Sequence, residues 1–115
     1  MYAVSVERFE ELVEAALAGM PETFTHAMEN VAIVVEEAAP GRPLYGLYEG
    51  IPLTRRGPMS YGAVMPDRIT LYRQTIQAHS HNEEELVAQI RKTVIHEIAH
   101  HFGIDDARLD ELGWG

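Results

Sequence analysis

The residues best suited to chemistry lie in one short stretch, HEIAHHFGIDD, which runs from His96 to Asp106. His96 and His100 are four residues apart, so on a helix their side chains project from the same face, about 5–6 Å apart at Cβ. At that separation two imidazole nitrogens can reach one zinc ion at about 2.0–2.1 Å. Glu97 is offset around the helix, where its carboxylate can stand beside the ion and accept a proton. The spacing therefore predicts a metal site with a neighbouring base.

Two histidines are an incomplete ligand set, because a catalytic zinc site usually has three protein ligands and an open fourth position. Gly103 can adopt positive φ and turn the chain back toward the helix face. Asp106 follows three residues later and is the predicted third ligand. Asp105 and Glu111 are the alternatives, and the spacing favours Asp106.

The remaining histidines are predicted to have other roles. His101 points away from His96 and His100 by the helical angle, so a packing or capping role is favoured. His79 and His81 are expected in a loop, and His26 on a short solvent-facing helix. Four tyrosines could stabilise an oxyanion through a phenolic proton, but packing is the simpler role for each of them: Tyr45, Tyr48, Tyr61 and Tyr72.

The full register H-E-x-x-H-x-x-G-x-x-D resembles that of the zincin metallopeptidases. It matches the metzincin pattern except at its last position, where aspartate is similar to the Asp-zincins. The resemblance implies hydrolysis of a peptide or protein substrate by a metal-activated water, with Zn²⁺ as cofactor. It implies His96, His100 and Asp106 as zinc ligands and Glu97 as general base. It also implies an edge strand that aligns an extended peptide, for which Asp67–Arg73 is the candidate.

Two departures from that family leave a second class of function open. Metzincins have a methionine-containing turn beneath the metal, but no methionine follows Met65 here. Trp114 is the candidate to support the site instead. The cleft is also expected to be shallow, because the second subdomain that walls it in the family is missing. A zincin-like module that binds metal or peptide without turnover is therefore the alternative to an enzyme.

The N-terminal half must supply the frame for this site. Apolar residues at helical spacing predict a first helix from the N-cap Ser5 to Gly19, and Pro21 suits the first turn of a short helix through Met28. The β-branched run Val31–Glu37 predicts a buried strand. Pro40–Pro66 is rich in proline and glycine, which predicts a long irregular region with one short hairpin around LYGLYEGIPL.

The C-terminal half must position the site directly. The alternation in Asp67–Ile76 predicts a second strand, and its part-polar face favours an edge position. Asn82 as N-cap, three glutamates in the first turn and Gly103 beyond the end predict a helix over 83–102. DDARLDEL predicts one or two further helical turns. The predicted fold class is α+β, a single minimal zincin-like domain over residues 1–115.

Composition excludes several other functions. The net charge is −9 and the isoelectric point is near 5.0, so nucleic acid and anionic membranes are disfavoured as partners. The chain has no cysteine, which excludes disulfides, a thiol nucleophile and any cysteine-based zinc site. We expect a cytoplasmic protein, and its small size favours a homodimer that buries leftover apolar surface.

Overall fold

The computed structural model describes residues 1–50 and 66–114 and places a three-stranded sheet against helices. This architecture confirms the predicted α+β class, including the long helix near the C-terminus. In these residues the elements are, in chain order, α1 (Val6–Ala18), α2 (Glu22–Thr25), a 3-10 turn (His26–Met28), β1 (Val31–Glu36), β2 (Gly46–Glu49), β3 (Asp67–Tyr72), α3 (Arg73–Ala78), α4 (Glu83–His101) and α5 (Asp106–Glu111).

Helix α1 begins and ends where the sequence predicts. The Ser5 side chain accepts a hydrogen bond from the backbone N–H of Arg8, which satisfies one of the unpaired donors at the helix start. One face of α1 is buried, where it packs against α4. Each large apolar side chain on that face contributes about 1.5–3 kcal/mol of burial energy. The buried residues are Phe9, Leu12, Val13 and Ala16.

The sheet has the strand order β1-β3-β2, so β3 is its central strand. Strand β1 is parallel to β3, and β2 is antiparallel to it. The predicted edge position of Asp67–Arg73 is therefore wrong. Thr70 and Tyr72, which the alternation assigns to a part-polar face, are both buried because β3 is covered on both faces.

The strand is also shorter than predicted. It ends at Tyr72, and the residues up to Ile76 belong to α3 instead. Arg73 fits the alternation of apolar and polar residues that predicted the strand, but it belongs to the helix. As the first residue of α3, it binds both carboxylate oxygens of Glu37 at 3.0 and 2.7 Å and the carbonyl of Val4 at 2.7 Å.

The predicted hairpin around LYGLYEGIPL is only partly described. Its first half forms β2, which pairs with β3. Residues 51–53, its second half, lie outside the described residues.

Helix α4 carries the site and is anchored by the core. Its N-cap is Asn82, whose side chain accepts a hydrogen bond of 2.8 Å from the backbone N–H of Glu85. The Glu85 carboxylate accepts from the backbone N–H of His81, one residue before the cap. One face of α4 is buried against the sheet and α1. The buried residues are Leu86, Ile90, Thr93, Val94, Ile95, Ile98 and Ala99.

The chain reverses direction after α4 as predicted. Gly103 has a φ of 79°, a left-handed conformation that costs a side-chain-bearing residue about 1–2 kcal/mol. The backbone N–H of Ile104 donates to the carbonyl of Ala99 at 2.8 Å and closes the turn. Helix α5 follows, with the fully buried Leu109 docked in the core. Within residues 1–50 and 66–114, no helix combines the length and apolar character that a bilayer crossing requires.

Candidate metal centre

His96 and His100 lie side by side on one face of α4. Their ring centroids are 5.6 Å apart and the rings are nearly perpendicular. The residues between and around them, Ile95, Ile98 and Ala99, are fully or almost fully buried in the core. That burial fixes the rotation of the helix, so the two imidazoles face outward together.

Asp106 completes a group of three potential ligands. Its Oδ1 lies 2.9 Å from His100 Nε2 and 3.9 Å from His96 Nδ1. One potential ligand atom from each of the three residues lies within 4.8 Å of the others. Two atoms bound to one tetrahedral zinc at 2.0–2.1 Å are roughly 3.3 Å apart, so the spacing suits one small ion. The turn at Gly103 brings Asp106 to this position.

The chemistry of the three side chains also fits a metal ion. His96 Nε2 is buried and has no hydrogen-bond partner in the described residues. An unpaired buried nitrogen costs about 1–3 kcal/mol, which a bound group would remove, and it is a different nitrogen from Nδ1, the one that lies 3.9 Å from Asp106. The hydrogen bond with His100 holds the pKa of Asp106 below its usual value, which keeps the carboxylate charged. Two imidazoles and one charged carboxylate are a normal set of zinc ligands.

The two alternative ligands have other partners. Asp105 is the N-cap of α5, where its side chain accepts from the backbone N–H of Arg108 at 2.9 Å. Glu111 forms an ion pair of 2.8 Å with the Arg108 side chain. Neither belongs to the group formed by His96, His100 and Asp106.

Glu97 lies beside this group but does not belong to it. Its carboxylate is half-buried, and one oxygen accepts a hydrogen bond of 3.0 Å from the backbone N–H of Tyr48 in β2. Burial raises the pKa of Glu97 above its usual value. The Tyr48 hydrogen bond and the charges of His100 and His96 oppose that rise. A half-buried carboxylate with a raised pKa next to a candidate metal centre is suited to proton transfer.

The contact between β2 and α4 depends on Gly46. A Cβ atom added at Gly46 would lie 2.8 Å from Thr93 Cγ2 and 3.0 Å from the carbonyl oxygen of Thr70. Because a real Cβ does not approach other atoms so closely, only glycine allows β2 to come this near to the helix. Sequence reasoning missed this role, and its only signal is a glycine inside the strand pattern.

A second contact between β2 and α4 involves Tyr48, His101 and Asp67. The rings of Tyr48 and His101 are stacked at 3.9 Å with an interplanar angle of 16°. The Tyr48 hydroxyl donates to an Asp67 carboxylate oxygen at 2.7 Å. His101 thus has a packing role, as its helical angle predicts. It lies outside the group formed by His96, His100 and Asp106, which we call the metal-binding group as a candidate ligand set. The roles of Tyr48 and Asp67 were missed, because the partners are distant in sequence.

The other histidines also lie outside the metal-binding group. His79 Nδ1 is 3.0 Å from the carbonyl of Thr75. His81 pairs with Glu85, and His26 lies 3.5 Å from a carboxylate oxygen of Glu29. Trp114 is half-buried and packs against the hydrophobic core. A place for Trp114 directly beneath the metal-binding group stays a prediction.

A cavity of about 350 Å³ opens beside Glu97 and His96. The segment Pro43–Gly46, which leads into β2, forms one wall. The outward face of α4 forms the other wall, with Gln89, Lys92 and Thr93. The cavity gives a ligand access to the base and to one of the predicted metal ligands.

Comparisons with known proteins give similarities of two kinds, to a family and to a solved structure. Residues 28–114 match the model of a family described as zincin-like metallopeptidase. The fold is similar to a solved structure described as a conserved hypothetical protein from Thermus thermophilus, with 26% sequence identity and a TM-score of 0.55. That match covers 85% of this chain and 94% of the other. No curated protein matches the sequence.

Proposed function

Because the chain belongs to the zincin-like metallopeptidase family, we propose that it is a zinc-dependent peptidase that uses Glu97 as general base. One observation carries the proposal: His96, His100 and Asp106 converge, and the Glu97 carboxylate stands beside them without joining them. A structural zinc site is normally closed by four protein ligands, whereas a catalytic site has three. Three converging residues in the described chain favour the catalytic type.

The three residues would hold the ion, and the ion would supply one kind of chemistry. When bound, zinc acts as a Lewis acid that makes water acidic near neutral pH and polarises a carbonyl. The carboxylate of Asp106 brings one negative charge to the site, and the two imidazoles bring none when neutral. Asp106 therefore offsets part of the charge of a divalent ion.

Glu97 would move the proton. Its carboxylate accepts a proton from the attacking water and returns it to the leaving amine. The Tyr48 N–H holds one carboxylate oxygen at 3.0 Å, which leaves the other oxygen to face the water. The half-burial that raises the pKa of Glu97 makes it a stronger base than an exposed glutamate.

The substrate would lie along β2. Strand β2 is an outer strand of the described sheet and is adjacent to Glu97, whereas β3 has neighbours on both sides. An extended peptide pairs with an outer strand through main-chain hydrogen bonds. We therefore propose that β2, and not Asp67–Arg73 as the sequence suggested, aligns the extended peptide.

The test combines metal content with cleavage of a broad peptide library. We expect one zinc per chain in the wild type and in Glu97→Gln, with hydrolysis only in the wild type. Loss of the base should lower kcat by about 10²–10⁴-fold. Glu84→Gln is the matched control, because Glu84 is an exposed glutamate in the first turn of the same helix and should not affect hydrolysis.

Two results would contradict the peptidase proposal. Full activity in Glu97→Gln would exclude Glu97 as the base. Stoichiometric zinc without cleavage of any peptide would favour the alternative, a zincin-like module that binds metal or peptide without turnover. A module of that kind has no need for the carboxylate at Glu97.

A further inference from the structure

Lys92 lies in the wall of the cavity that opens beside Glu97 and His96. It precedes His96 by four residues on α4, so it is on the same helix face, about 6 Å along the helix axis from His96. Its side chain is exposed to solvent and brings a positive charge to the cavity. A ligand in the cavity would therefore meet this ammonium group close to the reacting centre.

Two other polar side chains of the cavity wall, Gln89 and Thr93, bond to each other. Gln89 Nε2 donates to Thr93 Oγ1 at 3.2 Å, and Thr93 Oγ1 donates to the carbonyl of Gln89 at 2.8 Å. His96 and Glu97 belong to the candidate metal centre. Outside the candidate metal centre, Lys92 is thus the charged side chain of the described cavity wall, and Tyr45 adds a neutral hydroxyl.

The Lys92 ammonium group also has no carboxylate partner among the described residues. Lys92 forms no ion pair among residues 1–50 and 66–114, although the chain has 18 acidic and 9 basic residues. Residues 51–65 contain no aspartate or glutamate that could serve. Four of the six described arginines do pair with carboxylates, namely Arg8, Arg68, Arg73 and Arg108, whereas Arg42 and Arg91 form no ion pair in the described residues. What distinguishes Lys92 from the other cations without an ion pair in the described residues is that it lines the cavity, where a carboxylate from outside the chain can reach it.

The opposite wall of the cavity would strengthen the attraction between Lys92 and a negatively charged ligand. Pro43, Leu44 and Tyr45 present largely apolar surface to the cavity. Filling the space between this wall and Lys92 would displace water and lower the local dielectric constant, which increases the attraction between opposite charges. A lysine ammonium is a compact charge with three donors, so a carboxylate is its natural partner.

We propose that Lys92 makes this cavity a subsite for a carboxylate of the peptide substrate. The inference rests on the proposed peptidase function and specifies the substrate class: peptides with an acidic residue, or a free C-terminus, near the scissile bond. An extended chain advances about 3.3–3.6 Å per residue. The axial rise of about 6 Å between Lys92 and His96 equals about two residues of extended chain, so the proposal places the carboxylate within about two residues of the bond that is cleaved.

The test measures kcat/KM for matched peptides with the zinc-loaded protein. Each pair carries glutamate or glutamine at one position within two residues of the scissile bond. A further pair ends in a free carboxylate or an amide at the same distance. We expect a roughly 10-fold preference for the charged member at one position, as one hydrogen bond to a charged group would give. The position of that preference distinguishes a side-chain carboxylate from a C-terminal one.

Variants of Lys92 assign the preference to this residue. Lys92→Met should cleave the charged and neutral members at equal rates, and Lys92→Glu should prefer lysine at the same position. Arg42→Met is the control, because Arg42 is an exposed cation that does not line the cavity. Its removal changes the net charge equally and should leave the preference intact. A preference that falls equally in Arg42→Met would overturn the inference, because the effect would then be a general one of net charge.

Binding measurements separate this inference from the peptidase proposal. Calorimetry with zinc-loaded Glu97→Gln measures the same peptide pairs without turnover. Cleavage by the wild type with no preference, or with one that survives Lys92→Met, overturns the carboxylate subsite alone. A Lys92-dependent binding preference without any cleavage supports the subsite and overturns the peptidase. If neither cleavage nor a binding preference is observed, both the carboxylate subsite and the peptidase proposal are overturned.

Discussion

The backbone N–H of Tyr48 donates a 3.0 Å hydrogen bond to the carboxylate of Glu97, which joins an outer strand to the helix that carries the metal-binding group. Tyr48 is opposite Ile69 in the antiparallel pairing, and Tyr72 donates to the carbonyl of Tyr45 in the same register. Because hydrogen-bonded and non-hydrogen-bonded pairs alternate, the N–H of Tyr48 faces away from β3. It thus lies outside the strand ladder and can hold the proposed base.

This bond predicts different effects for two substitutions at one position. Tyr48→Ala and Tyr48→Pro both remove the ring, but only proline removes the N–H. An outer strand tolerates proline where the N–H faces away from the sheet. We expect kcat for peptide hydrolysis to be about 10-fold or more lower in Tyr48→Pro than in Tyr48→Ala, as for a lost hydrogen bond to a charged group.

Steady-state kinetics on the zinc-loaded variants, with circular dichroism to compare their folds, checks this prediction. Equal kcat values in the two folded variants would mean that the N–H does not orient Glu97. Tyr48→Phe is a useful third variant, since it retains the ring and the N–H and loses only the hydroxyl bonded to Asp67. It should retain most of the activity.

The close approach of β2 to α4 predicts that Gly46→Ala is damaging. The added methyl group would overlap the Thr93 side chain and the carbonyl of Thr70. Overpacking of this kind costs about 1–3 kcal/mol of unfolding free energy. We also expect reduced activity, because a displaced β2 moves the Tyr48 N–H from Glu97.

Urea denaturation of Gly46→Ala and Gly50→Ala provides the measurement and its control. At Gly50 an added Cβ would meet its nearest neighbour among the described residues, His101 Cε1, at 3.4 Å, which is an ordinary contact distance. Gly50→Ala should therefore lose much less stability. Similar losses in the two variants would argue against a specific contact at Gly46.

Substitutions of the two adjacent aspartates should have different effects, one on zinc affinity and the other on stability. Asp106→Asn removes the charge of the proposed ligand and should weaken zinc affinity by more than the roughly 10–100-fold typical of outer-shell partners. Asp105→Ala removes the N-cap of α5 and should cost about 1 kcal/mol of stability with little effect on zinc affinity.

Competition with a chromophoric chelator measures zinc affinity, and thermal unfolding measures stability. Zinc should also raise the Tm of the wild type, because a ligand that binds only the folded state stabilises it. A larger loss of affinity in Asp105→Ala than in Asp106→Asn would assign the ligand role to Asp105.

The ion pair between Glu37 and Arg73 predicts a pH effect on stability. The hydrogen bond with Arg73 lowers the pKa of Glu37 in the folded protein. A lowered pKa means that the unfolded chain binds more protons over that range. The contribution of Glu37 is therefore complete above the ordinary glutamate pKa and is lost as the pH falls toward the lowered value.

Urea midpoints of the wild type and Glu37→Gln across this acid range provide the check. The wild type should be more stable at neutral pH, and the difference should shrink as the pH falls below the ordinary glutamate pKa. Glu36→Gln is the control, because the neighbouring Glu36 is also exposed and forms no ion pair in the described residues. A difference that is constant with pH would exclude the ion pair as its source.

Local sequence determined the elements that carry the site. The caps at Ser5 and Asn82 set the starts of α1 and α4, because their side chains bond backbone groups only three residues away. The spacing of His96 and His100 places them on one helix face, and Gly103 adopts the left-handed turn that its type allows. All of these relations span a few residues, so helix periodicity and φ preference are enough to predict them.

Tertiary structure decided what surrounds those elements. The central place of β3 depends on its pairing with β1 and β2, which no alternation within Asp67–Tyr72 can reveal. The hydrogen bond from Tyr48 to Glu97 joins residues 49 positions apart through a backbone N–H, a group that is the same in nearly every residue. The need for Gly46 arises from the Thr93 side chain on another element. Contacts of this kind form only when the sheet packs on the helix, so the base acquires its position from the whole fold.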